Sequence, residues 1–543
     1  MGVNFEEKLG NQQYDDLWQE YCGFLNLDIG GYMQIQRRLM EEQIGLWSAS
    51  ALGKKLLDGE RPRTIEEFRR AVPLTTFEDY ADVLLQKRSE MLPAEPVVWI
   101  QTTWEGGKHP IKLAPYTRGM LDVFKRNMVA ALMLATSKRP GQFSIAPRDR
   151  TLYGLAPLPY VTGLFPLMLD EELPLRFLPP VEEAVKMSFG ERNKRGFALG
   201  LQSGLDLFFG LSSVISYITT SFTAGGGKSK KNLFQYSPAM VCRYLAASYR
   251  AKRDGRTVQP KDIFRLKALI CAGTDTSYYK PSLEEAWGVR PMEIYAGTEP
   301  TLMATETWAR NGLVFFPDNC FYEFIPEQEM YKNIDDRAYQ PKTYLMDELA
   351  ANQNYEVVIT VLKGGAFVRY RVGDVFRCLS TGGEQEGTRL PRFAFVDRIP
   401  TVIDIGGFTR ITEDTISDVV RLSGLGIHDW AARKEYSADN RPYLHLYLEI
   451  ASGSLEVMAV SKQLLREHLS VYFKYFDNDY NDLKKMLGIE PLQITILRTG
   501  TFDAFRRATG QEVRRINESG FRISELLRFQ ERDYPLERGV VTP

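Results

Sequence analysis

Apolar positions three or four residues apart, broken by charged runs, fill residues 13 to 90 and predict a helical opening to the chain. Within it Thr64-Ile65-Glu66-Glu67 sets a hydroxyl three residues before a carboxylate. That spacing lets the two side chains satisfy backbone N–H groups at the start of a helix. From Val97 the texture changes to short apolar runs such as Val97-Val98-Trp99-Ile100 and Leu266 to Ala272, each closed by small or polar residues. Such runs predict buried strands whose ends form a functional edge, as in an α/β sheet. Beyond Arg398 the pattern predicts a strand at Tyr443 to Ile450, a helix at Leu455 to Tyr472 and a strand at Leu492 to Leu497. The expected fold class is therefore α/β: a large domain over residues 1–398, with mixed sheets flanked by helices, and a smaller α+β domain over residues 399–543. The hinge is expected near Asp397 to Gly407.

The longest apolar-rich stretch, Phe197 to Phe222, is interrupted by Gln202, Asp206 and several glycines. An interior aspartate is costly in hydrocarbon, so the expectation is a pair of buried helices lining a pocket and no integral membrane span. The following Ala224 to Lys231 segment reads as a mobile loop; its Gly-Lys-Ser echoes a phosphate loop but lacks the upstream glycine and a preceding strand.

Composition narrows the function. The 543 residues carry 68 basic and 69 acidic side chains, a formal charge of -1, which gives no global attraction for nucleic acid or anionic lipid. Cys22, Cys242, Cys271, Cys320 and Cys378 include no CxxC pair and are odd in number, so a reducing, cytoplasmic setting is expected. Met1 to Asp16 has no apolar core of the secretory kind. His109, His428, His445 and His468 lack metal-ligand spacing, which argues against a zinc enzyme or a histidine-based triad.

Four separated segments carry candidate chemistry in a telling order. Leu269 to Ala272 runs into Gly273-Thr274, where the missing side chain lets a flat adenine ring approach the backbone. Pro291 to Ile294 runs into Tyr295-Ala296-Gly297-Thr298-Glu299, with Tyr295 able to stack on adenine and the hydroxyl–carboxylate pair able to serve phosphate and Mg²⁺. Glu356 to Leu362, the turn at Lys363-Gly364-Gly365 and then Tyr370-Arg371-Val372-Gly373-Asp374 predict a hairpin with Asp374 at its end, where a carboxylate accepts two ribose hydroxyls. Asp397-Arg398 and the Gly406-Gly407 turn follow, with Arg398 placed to pin the sugar. Taken singly, each segment also fits a plain structural reading: a strand-to-turn break, a solvated Glu299, or a surface Arg–Asp pair. Their order points to one nucleotide-handling site.

The chain resembles the adenylate-forming superfamily of acyl-CoA synthetases, luciferases and peptide-synthetase adenylation domains. Within it, the chain is similar to the acyl-acid amido synthetases named after auxin-responsive promoters and their bacterial relatives. The closer likeness rests on Phe68 to Tyr80 (FRRAVPLTTFEDY), Cys320 to Pro326 (CFYEFIP), Tyr370 to Val375, Tyr480 to Lys484, Pro491-Leu492 and Gly500-Thr501-Phe502. The resemblance implies an enzyme that joins a carboxylic acid to AMP with ATP and Mg²⁺, then passes the acyl group to an amine, commonly an amino acid. The alternatives are transfer to a thiol, of coenzyme A or a carrier protein, or a binding protein that keeps the fold without catalysis. It also implies a mobile C-terminal domain; a monomer or weak dimer is expected.

Carried over by match, Thr298 and Glu299 hold the α-phosphate and Mg²⁺, Asp374 the ribose and Arg398 the sugar from the hinge side. The family's phosphate loop falls on Gln101 to Pro115, where Thr102, Thr103, Gly106, Gly107 and Lys112 fit the role. Trp104 and Glu105 depart from it, putting a bulky ring and an anion where a flexible glycine-rich turn meets a triphosphate. The superfamily's C-terminal lysine has no counterpart, since no lysine follows Lys485; Arg514 and Arg515 occupy the matching stretch, either as a substitute cation or as a solvated pair. Tyr160, Phe165 and Leu207 to Leu211 are candidates for an apolar acyl pocket.

Overall fold

The computed structural model describes residues 5–102, 111–154, 156–170, 172–225, 237–383, 387–406, 409–424, 426–438, 441–450 and 492–531. They fall into two compact units that divide between Asp397 and Arg398. The expected helix at Leu455 to Tyr472, the Tyr480 to Lys484 motif, Pro491 and the Gly226 to Lys231 part of the glycine-rich loop lie outside the described residues, as do Thr103, Gly106, Gly107 and Gly407.

The first unit opens with helices, as the periodicity predicts. Thr64 and Glu67 form the reciprocal cap, with Glu67 N donating to Thr64 Oγ1 at 3.1 Å and Thr64 N to the Glu67 carboxylate at 3.4 Å. The long helix Ile29–Ala49 buries Tyr32, Met33, Gln36, Leu39, Met40, Gln43, Ile44 and Trp47, one stripe at helical spacing. Two glutamines in that stripe are spent on backbone: Gln36 Nε2 donates to Cys320 O at 2.7 Å and Gln43 Nε2 to Gly365 O at 2.9 Å. Trp47 Nε1 donates to Ala366 O at 3.1 Å, so this helix grips the turn that leads into Tyr370.

Val98–Gln101 (β1) and Leu113–Tyr116 (β2) form a separate two-stranded antiparallel hairpin. The Val97 run is thus a strand, but not one of the main sheet. That sheet contains Arg150–Gly154 (β3), Arg176–Leu178 (β4), Leu207–Leu211 (β5), Ala268–Ala272 (β6), Met292–Gly297 (β7), Thr301–Glu306 (β8), Leu313–Phe315 (β9), Cys320–Pro326 (β10), Asn354–Val361 (β11), Tyr370–Ser380 (β12) and Arg392–Arg398 (β13). Their order is β10-β11-β12-β13-β9-β8-β7-β6-β5-β3-β4. β3 to β7 run parallel; the pairings of β7 with β8, β8 with β9, β10 with β11 and β11 with β12 are antiparallel. The mixed sheet with helices packed on it fulfils the α/β expectation.

The Phe197 to Phe222 stretch is not a helix pair. Helix Phe189–Ser203 is followed by β5 and then helix Ser212–Gly225. Leu207 to Phe209 are buried, and a five-residue apolar run has no periodicity by which to tell a buried strand from a helix. Asp206, which weighed against a membrane span, sits at the strand's start and pairs with Arg150 at 2.7 Å. No helix among the described residues is long and apolar enough to cross a membrane.

In the second unit Val402–Ile405 (β14) and Thr409–Thr412 (β15) form a hairpin; Ile427–Tyr436 (β16) pairs antiparallel with Pro442–Ile450 (β17), which pairs parallel with Leu492–Leu497 (β18). One core gathers Ile403, Ile411, Trp430, Leu446 and Leu492; another lies under helices Thr501–Thr509 and Gly520–Glu531. Buried Glu449 accepts from Gly500 N at 2.7 Å and Phe502 N at 2.9 Å, which gives the Gly500-Thr501-Phe502 motif a structural task at a helix start.

Candidate functional site

The parallel strands β3, β5, β6 and β7 end on one edge of the sheet, where open α/β sheets place their ligands. At the end of β6, Gly273 takes φ +115°, a conformation that side chains rarely adopt. Its carbonyl accepts the Thr276 hydroxyl at 2.7 Å, and the neighbouring Ala272 carbonyl accepts Ser212 Oγ at 3.0 Å, so the Gly273-Thr274 turn is tied to both flanking helices. Tyr295, Ala296 and Gly297 are the last residues of β7, with a register shift at Tyr295/Ala296 where the strand departs for Thr298-Glu299.

Asp374 does not stand at a hairpin tip. It lies within the long strand β12, at a bulge where one residue of β11, Val357, opposes Val372, Gly373 and Asp374. Gly373 at φ +80° makes that bulge. A bulge re-aims side chains inside a ladder, which the alternating pattern of residues does not reveal. Arg371 turns to the other side, held by Glu356 at 2.6 Å and Asn333 at 2.6 Å.

Four of the expected residues meet here. The Tyr295 hydroxyl donates to Asp374 Oδ2, while the Tyr295 ring lies 6.0 Å from Phe395 at 21° and 4.8 Å from Phe376 at 88°. Glu299 Oε1 accepts the Tyr370 hydroxyl at 2.8 Å, and the Thr298 carbonyl accepts the Tyr116 hydroxyl at 2.5 Å. Both carboxylates are buried, Asp374 at 3% exposure and Glu299 at 8%. The turn is pinned beyond them: Asn319 Nδ2 donates to Pro300 O at 2.5 Å, Asn319 Oδ1 accepts the Thr301 hydroxyl at 2.7 Å, and Thr301 holds φ +60°.

Thr102 and Lys112 close the base of the loop between β1 and β2, with Thr102 N donating to Lys112 O at 2.9 Å. The Thr102 hydroxyl is buried with no hydrogen-bond partner among the described residues. Lys112 Nζ stands 5.6 Å from the Phe77 ring. Phe77 belongs to the Phe68 to Tyr80 motif, whose Thr75 bridges β12: Thr75 N donates to Arg369 O and Arg371 N to Thr75 O, each at 2.9 Å. Phe165 packs 5.0 Å from Phe209 and 5.3 Å from Tyr153 in the core, and Tyr160 is half-buried.

Arg398, Arg514 and Arg515 belong to the second unit. Arg398 Nε donates to the buried Asp404 at 3.2 Å, and Arg515 lies over Trp430 at 5.2 Å and 3.6 Å from Asp429. Sequence reasoning passed over Tyr116, Asn319 and Thr75 and gave Tyr370 no task. Tyr370 opens the motif that marks Asp374, and Thr75 lies inside a family-like segment, so both were within reach. Tyr116 and Asn319 carry no local signal. His445 was also given none, yet Nδ1 lies 2.8 Å from Glu435 Oε2 and Nε2 2.8 Å from Thr495 Oγ1, across three strands.

A sequence model of the GH3 family central domain matches residues 313–398, the stretch from β9 through β13 that carries Tyr370 and Asp374. The chain thus carries a match to that central domain within its mixed α/β sheet. It is similar to the structure of 2-hydroxyisobutyryl-CoA ligase in complex with 2-HIB-AMP and CoA, with TM-score 0.56 and 16% identity over 92% of each chain. It is also similar to GH3.15 acyl acid amido synthetase in complex with 2,4-DB, with TM-score 0.49 and 16% identity over 97% of this chain and 96% of that one. No curated protein sequence matches the chain.

Proposed function

We propose that the chain activates a carboxylic acid with ATP and transfers the resulting acyl group to an amine, an amino acid being the first candidate. The observation that carries this reading is that tyrosine hydroxyl bonds tie Glu299 to Tyr370 and Tyr295 to Asp374, joining segments 71 to 79 residues apart. A carboxylate oxygen attacks the α-phosphorus and pyrophosphate leaves; the amine nitrogen then attacks the acyl carbon, AMP leaves, and the nitrogen gives up its proton to solvent. The mixed anhydride makes a poor electrophile reactive, and the site must offset charge developing at phosphorus.

In this reading Gly273, Thr274, Ala296 and Gly297 give the adenine a flat backbone bed, and Asp374 accepts the ribose hydroxyls. Thr102 and Lys112 reach the phosphates. Among the described residues no group of three or more His, Cys, Asp or Glu is placed to hold a metal alone. Hard oxygen donors at Glu299 and Thr298 fit a magnesium ion shared with nucleotide phosphates, which neutralises their charge. We extend the proposal to Arg398, Arg514 and Arg515 as cations for sugar and phosphate, and to a change in arrangement of the two units between half-reactions. All five cysteines are free thiols, which supports a reducing, cytoplasmic setting.

Exchange of labelled pyrophosphate into ATP over a panel of carboxylic acids tests the first half-reaction. Exchange with no acid tried sinks the enzymatic reading. Adding amino acids and coenzyme A separately to an exchange-active acid then identifies the acceptor, and a product formed only with the thiol replaces the amide with a thioester.

A further inference from the structure

We propose that Tyr370 is a positioning residue of this site: its hydroxyl fixes one oxygen of Glu299 so that the other faces the magnesium carried by ATP. The inference rests on the function proposed above.

The backbone on either side of Glu299 is held by other side chains. Tyr116 takes the Thr298 carbonyl, Asn319 takes Pro300 O and the Thr301 hydroxyl, and Thr301 sits at φ +60°. What remains free is the rotation of a flexible carboxylate, and the 2.8 Å bond from Tyr370 removes it. The donor itself cannot drift. Its ring is 2% exposed, 4.8 Å from Phe367 and 6.3 Å from Tyr80, and its backbone is bracketed by the two Thr75 bonds to Arg369 and Arg371.

The chemistry of the donor matters as much as its place. A hydroxyl orients a carboxylate while leaving its negative charge intact, whereas an arginine or lysine would neutralise it and compete with a metal. Among the described residues Glu299 meets no cation. Tyr370 and Asp374 also share β12, so one strand sets both the metal-facing and the ribose-facing carboxylate, and their separation is fixed by the bulge between them.

Tyr370→Phe keeps the packed ring and removes the hydroxyl. Calorimetric binding of ATP with saturating magnesium is expected to weaken about tenfold, the order of one lost hydrogen bond to a charged group, while binding in EDTA stays within about twofold of the parent. Manganese titrated into the ATP complex and followed by electron paramagnetic resonance should show the same weakening, with the unfolding midpoint unchanged. An unchanged affinity with magnesium, or an equal loss with and without it, overturns the inference. Glu299→Gln separates the two readings. A magnesium-selective loss there but none in Tyr370→Phe removes only the positioning role, and a parent protein that binds no ATP removes the proposed function itself.

Discussion

Two buried glutamates of the first unit, Glu323 and Glu299, have surroundings that differ in kind. Glu323, in β10, meets Arg69 at 2.9 Å, Arg369 at 3.1 Å and the Thr343 hydroxyl at 2.6 Å. Burial raises its proton affinity, and the Arg369 and Arg69 guanidiniums outweigh that, holding its carboxyl below the usual range. Arg369 also donates to Arg69 O and Val72 O at 2.6 Å each, so the cluster staples the Phe68 to Tyr80 motif onto the sheet. Glu299 is met by a hydroxyl and by no cation among the described residues. Its charge is therefore available to a ligand, while that of Glu323 is already answered from within. Both carboxylates are buried in the same unit, and the charge of their partners separates a staple from a proposed site.

The largest effect expected falls on the staple. Glu323→Ala leaves the buried Arg369 and the part-buried Arg69 guanidiniums without their carboxylate and should cost about 3–5 kcal/mol of folding stability, read from urea unfolding. If that variant folds as firmly as the parent, the contrast fails. Next comes Glu299→Gln, which should leave the urea midpoint in place and lower pyrophosphate exchange by about 10²–10³-fold, the scale of removing one transition-state charge partner. A loss of stability without a selective loss of exchange would move Glu299 into the structural class. Asp374→Ala should raise the KM for ATP by about tenfold or more with a smaller change in kcat, since ribose contacts are made in ground and transition states alike. An unchanged KM would put the ribose elsewhere.

The pattern of apolar residues made the helical opening legible, and Thr64 with Glu67 located a helix start to the residue, because periodicity and caps are local. The strands at Leu266 to Ala272 and Tyr443 to Ile450 were legible for the same reason. Leu207 to Leu211 was not, since a short buried run carries no period, nor was the bulge at Gly373, which depends on the register against β11. The motif points to Asp374 at a hairpin tip, and the bulge sets it inside β12 instead. Tyr116 meets Thr298 across 182 residues, and such partnerships exist only once the sheet has formed. The Glu435–His445–Thr495 chain escaped notice likewise, because strand pairing and not spacing brings those three residues together.

That last cluster supplies the smallest test. Glu435 resembles Glu299 in taking hydroxyl donors, Tyr447 at 2.7 Å and Tyr443 at 3.0 Å, but it also meets His445 at 2.8 Å and the Arg433 guanidinium at 3.4 Å. Burial raises its proton affinity, and His445 with the two tyrosines more than reverses that, bringing its carboxyl down from 4.5 to about 2. A folded-state value below the unfolded one stabilises the protein above the unfolded pKa, and that contribution is lost as the pH falls through the folded value. The stability Glu435 contributes is therefore present at neutral pH and disappears between about pH 4.5 and 2. Glu435→Gln should be less stable than the parent by about 1–2 kcal/mol at pH 7, discounted for partial exposure, and the two urea midpoints should converge across that acid window. A constant gap down to pH 2 would mean that shape and hydrogen bonding, not charge, explain what Glu435 does. Hydroxyl donors around a carboxylate would then be no guide to whether its charge is in use, and the contrast between Glu323 and Glu299 would rest on the arginines alone.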